Sequence, residues 1–174
     1  MNQPAPEHVA WIGSTIHPET RKAACLLRWG TIEALITPED AHTTARELMA
    51  AAAFAETDVA LFAWCRNTLK VDLVTAGQMV RDIRGNRPAP PGRSALRIEA
   101  VVGFKTGEPY VHIARGSVKG QINPDEARQM AAHWTDAALA AHIDVRLRYA
   151  LGEQPGITPG DIEQILERVQ GLQR

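Results

Sequence analysis

Ile36-Thr37-Pro38-Glu39-Asp40-Ala41 returns 86 residues later as Ile122-Asn123-Pro124-Asp125-Glu126-Ala127. The same offset, without a gap, aligns Asp58-Val59-Ala60-Leu61 with Asp144-Val145-Arg146-Leu147, and Gly30-Thr31-Ile32 with Gly116-Ser117-Val118. A fixed internal period governs the whole fold assignment and has to be recognised first. Between Ile36–Cys65 and Ile122–Leu151, ten of thirty positions are identical, and five of those are alanines that carry little weight in an alanine-rich chain. The other five are Ile, Pro, Asp, Val and Leu pairs, and they preserve the order of helix start and helix body. Strand-like runs upstream align as well, so the repeat reaches beyond a shared helix cap.

Each repeat opens with three strand-like runs. Leu96 to Phe104, Tyr110 to Ala114 and Val118 to Ile122 are separated by Gly- and Pro-bearing turns, which is hairpin chemistry. Their counterparts are Val9 to Ile16, Ala23 to Trp29 and Thr31 to Ile36. Each third strand runs into a helix start. Thr37 or Asn123 is an N-cap, Pro38 or Pro124 occupies the first helical position, and acids follow in the first turn. Ala41, Ala45, Leu48, Ala52, Ala55, Val59 and Phe62 form one apolar stripe at helical spacing, repeated by Ala127, Ala131, Trp134, Ala138, Ala141 and Val145. A shorter helix closes each repeat, from about Thr75 to Arg84 and from Thr158 to Gly171.

The expected fold is therefore α+β, a tandem duplication of a βββαα unit forming a single-chain pseudo-dimer. Residues 1–86 make the first repeat, 87–93 a proline-rich linker and 94–174 the second repeat. The two long helices either pack together near the pseudo-twofold or each covers its own sheet.

Composition narrows the functional classes. The net charge is −1 over 174 residues, which gives no global attraction to nucleic acid or anionic membrane. No stretch approaches the roughly 20 apolar residues of a membrane span. The first residues lack a signal-peptide pattern. Cys25 and Cys65 show no metal-like spacing and read as reduced packing residues of a cytoplasmic protein. No nucleophile elbow, phosphate loop or metal-ligand spacing occurs, and the six histidines are scattered. No cofactor and no metal is expected.

Asp58 and Asp144 are the only charged pair identical between the repeats. They could serve together as general acid and base, or bind a cation. Their place on the flank of the apolar stripe favours a solvated residue or a structural hydrogen bond instead.

The strand phases provide the sharper comparison. Alternation in the second repeat turns Ile98, Ala100, Val102, Val111, Ile113, Val118 and Ile122 inward, and Arg97, Glu99, His112, Lys119 and Gln121 outward. Carried across the offset, this phase puts Trp11, Leu26 and Leu35 on the outer face of the first sheet. An exposed apolar patch containing Trp marks a contact surface, the alternative being a face covered by the other half, by Trp64 or by the N-terminal arm. The expected function is a non-enzymatic binding or regulatory protein, acting through that face on a protein partner, as a monomer or homodimer.

A second reading places nucleic acid on Arg84, Arg87, Arg93, Arg97, Arg115 and Lys119, a basic set around the linker and second sheet. The βββα order resembles the sheet-reading DNA-binding domains of the AP2 type in topology, without their sequence motifs. An enzyme using Asp58 with Asp144 is a third reading. The β-meander followed by the Ile36–Ala41 or Ile122–Ala127 motif and an alanine-rich helix resembles small uncharacterised proteins of high-GC actinobacteria and their phages. That resemblance suggests a phage or mobile-element origin and implies no activity.

Overall fold

A computed structural model describes residues 10–88, 92–103 and 106–172. The expected strand start at Val9, the end of the fourth strand at Phe104 and the centre of the linker lie outside the described residues. The chain runs β1 (Trp11–Ile16), β2 (Ala23–Trp29), β3 (Ile32–Ile36), α1 (Pro38–Asn67) and α2 (Leu73–Gly85). It then repeats the order as β4 (Arg97–Val102), β5 (Pro109–Arg115), β6 (Val118–Ile122), α3 (Pro124–Gly152) and α4 (Pro159–Leu172). The 86-residue offset carries the start of every element in the first repeat onto the start of its twin. Each repeat forms a three-stranded antiparallel sheet, in order β1-β2-β3 or β4-β5-β6.

The local chemistry explains the boundaries. The Thr37 side chain accepts from the Asp40 N–H at 3.1 Å, and Asn123 accepts from the Glu126 N–H at 2.8 Å. Glu126 reaches back to the Asn123 N–H, closing a capping box in the second repeat only. The β2–β3 and β5–β6 turns use Gly30 and Gly116 at φ 56 and 58, where a side chain is disfavoured.

α1 and α3 pack against each other, and each also covers the sheet of the opposite repeat. α3 lies on β1 and β2, while α1 lies on β4 and β5. Of the two expected arrangements the first holds, with the sheet covers exchanged. Glu56 on α1 meets Arg128 near the start of α3 at 2.6 Å, and Glu39 at the start of α1 meets His142 far along α3 at 3.7 Å. The helices are therefore antiparallel. These contacts bracket Leu48 and its twin Trp134, both fully buried.

One continuous core results, drawing residues from both repeats: Ile12, Cys25, Leu27, Trp29, Leu48, Val111, Ile113 and Trp134 among them. Of the predicted inward strand positions, Ala100, Val111, Ile113 and Ile122 are buried and Ile98 and Val118 pack against the core, while Val102, at the end of β4, is only half-buried. α2 folds back on α1 and α4 on α3.

α1 is long and apolar enough to cross a membrane, which corrects the reading that no stretch comes near a span. Its apolar character comes largely from alanine, and the small side chains of Ala41, Ala45, Ala52 and Ala55 are buried in the core.

Candidate functional site

The outer face of the first sheet is built by strand alternation and by one glycine. Gly13 stands opposite Leu26, and Leu26 opposite Leu35, so these three form a row across the sheet. Trp11 belongs to the neighbouring row with Arg28 and Glu33. Its ring folds along β1 over Gly13, so closely that a Cβ there would sit 2.5 Å from the indole. Trp11, Leu26 and Leu35 thus make one apolar surface, with the indole filling the space Gly13 leaves. Trp11 is 39% and Leu35 41% exposed, and Leu26 is half-buried between them. The Arg28–Glu33 ion pair, at 3.0 Å, borders this surface, and the Arg28 guanidinium lies 5.7 Å from the Trp11 ring centroid.

The twin row on the second sheet is Glu99, His112 and Gln121. His112 Nε2 lies 2.9 Å from Gln121 Oε1, and Arg97 bonds Glu99 at 2.5 Å. Corresponding positions are therefore apolar on one sheet and polar on the other, on faces that are both open.

The six basic residues of the nucleic-acid reading do not form one surface. Arg97 and Lys119 flank Ala114 in a single row on the outer face of the second sheet. Arg115 belongs to the opposite face and donates to the Ala95 carbonyl at 2.5 Å. Arg93 is exposed at the end of the linker. Arg84 and Arg87 turn inward to Asp58.

Asp58 is fully buried, so of the two expectations for it the structural hydrogen bond holds and the solvated carboxylate does not. Its flank of α1 is covered by the end of α2 and the residues that follow. Arg84 lies 2.9 Å from Oδ2, and Arg87 pairs with Oδ1 while stacking 4.1 Å from the Phe54 ring centroid. Asp144 is also buried, but it accepts from the Ser14 hydroxyl at 2.9 Å, across the two repeats. Each aspartate lies ten residues beyond the Leu48/Trp134 crossing, in opposite directions along antiparallel helices. That separates them by about 30 Å at ~1.5 Å per residue. At that separation the two carboxylates cannot act on one reacting group.

No family model, curated protein or solved structure matches this chain.

Both cysteines are free and buried. Burial pushes the Cys25 thiol up to about 12, with the nearby Glu39 carboxylate adding to the shift. Among the described residues, no group of three or more His, Cys, Asp or Glu side chains is placed to hold a metal ion.

Sequence reading missed one further cluster. A cleft of about 600 Å³ opens between the β1–β2 hairpin, the start of α1 and the later part of α3. His17, Arg21, Lys22, His142 and Arg146 line it. The signal was present in the repeat, because the twins of these residues are Gly103, Gly107, Glu108, Glu56 and Ala60. It was hidden by the distance in sequence between the hairpin and α3.

Proposed function

We propose that this chain is a non-enzymatic binding or regulatory protein that captures a protein partner on the outer face of its first sheet. The observation that carries the reading is the continuous apolar surface of Trp11, Leu26 and Leu35, beside a twin face made of Glu99, His112 and Gln121. Large aromatic side chains at the centre of an open patch supply much of the energy of such contacts. A cytoplasmic setting suits two free, buried thiols.

Pull-down from the native host with wild-type and Trp11→Ala/Leu26→Ala chains provides the test. Wild type should retain a partner that the double variant loses. Unchanged capture and unchanged self-association would remove the site. Gly13→Ala supplies an independent arm. It should lift the indole from the sheet, raise tryptophan quenching by acrylamide and weaken capture, with the fold intact by circular dichroism.

The second reading, a sheet-based nucleic-acid binder, rests on the Arg97–Ala114–Lys119 row with His112 beside it. Fluorescence polarisation with DNA and RNA should then show salt-sensitive binding, reduced in Arg97→Ala/Lys119→Ala. Absence of such binding removes this reading.

A further inference from the structure

We propose that the cleft between the β1–β2 hairpin, the start of α1 and the later part of α3 is a single binding site for a small amphipathic anion. The ligand class is a carboxylate or phosphate head on a short apolar body. At about 600 Å³ the cleft is of small-molecule size. Ala24, Leu35, Ile36 and Val145 supply apolar wall, and the five basic side chains surround it.

Arg21, Lys22 and Arg146 make no ion pair among the described residues. Two acids bear on the cleft. Glu39 lines it, 3.7 Å from His142. Glu163 lies beyond it, held mainly by Arg148 and feeling the charge of Arg21. The basic groups therefore outnumber the acids, with three guanidinium or ammonium groups left to meet an anion.

The duplication supplies an internal control. At the opposite end of the molecule, the offset replaces all five basic residues with Gly103, Gly107, Glu108, Glu56 and Ala60. Glu56 there is occupied by Arg128. The hairpin backbone carries an independent mark. Arg21 has φ 58, a left-handed conformation that disfavours any side chain, whereas its twin Gly107 takes φ 70 without that penalty. An arginine is thus kept where the same turn accepts glycine, and its side chain lines the cleft. The site shares only Leu35 with the proposed protein-binding face and does not depend on that reading.

Isothermal titration with octyl phosphate, octanoate, octanol and inorganic phosphate tests the inference. One equivalent of octyl phosphate or octanoate should bind, more tightly than octanol or inorganic phosphate, and less tightly as salt rises. The tighter of the two anions identifies the preferred head. Arg21→Gly/Arg146→Ala should weaken that binding about tenfold or more, as expected for lost charge-assisted hydrogen bonds. Arg21→Gly installs the residue the twin turn already uses, so this single variant retains the fold and by itself should weaken the anion. Equal binding of octanol, two equivalents per chain, wild-type affinity in the folded variants, or no binding would each overturn the proposal.

Discussion

Asp58 and Asp144 occupy equivalent positions, yet the side chains that hydrogen-bond to them stand at non-equivalent places in the two repeats. Asp58 faces Arg84 and Arg87, whose counterparts by the offset are Gln170 and Gln173. Asp144 accepts from Ser14, whose counterpart is the buried Ala100. Removing one partner of a buried ion pair strands the other, so Asp58→Ala should lower stability by about 3 kcal/mol in urea denaturation. The pair of aspartates was legible because identity across a repeat is visible in sequence. Their partners were not, since Arg84, Arg87 and Ser14 come from other elements. Cys25 gives a second prediction at this scale. Its thiol sits at about 12 in the fold against an ordinary 9.0, so folding favours the protonated form. That stabilisation is complete below about 9 and is lost as pH rises toward about 12. Urea midpoints should therefore fall more steeply over this window in wild type than in Cys25→Ala, and the native thiol should resist alkylation at neutral pH.

At the scale of elements, α1 and α3 show what periodicity can and cannot reveal. The alanine stripe identified the buried face, and Ala41, Ala45, Leu48, Ala52 and Ala55 are all buried. Helical spacing does not specify the opposing surface, so the crossing of each helix onto the other repeat's sheet was not legible. Nor was the coverage of the Asp58 flank, which depends on how α2 folds back. Leu48 and Trp134 stand at the crossing and are fully buried, so truncating either leaves a cavity in the shared core. Trp134→Ala should cost about 3–5 kcal/mol, and Leu48→Ala about 2–5 kcal/mol. Thr37→Ala should cost only about 1 kcal/mol through its lost cap. Equilibrium denaturation of the three variants checks that order.

For the whole molecule, the βββαα order and its duplication were legible because cap, stripe and strand alternation agree in both repeats. The two repeats of the sequence share one core. Sheet β1-β2-β3 takes its helical cover from α3, so residues 1–88 alone would expose the inner face of that sheet. Either half expressed singly should be unfolded or self-associated by size-exclusion chromatography. Co-expressed halves should reassemble, and the intact chain should unfold in a single transition by every probe. The exchange of helices between sheets has a consequence for how assembly scales. Two free repeats would complete their cores only by meeting, so their folding would weaken on dilution. The short connection from Gly85 to Arg97 makes that meeting intramolecular, at an effective concentration set by the tether. The folded fraction then becomes independent of the amount of protein present. A fold that would otherwise require a partner copy persists in a cell holding only a few molecules.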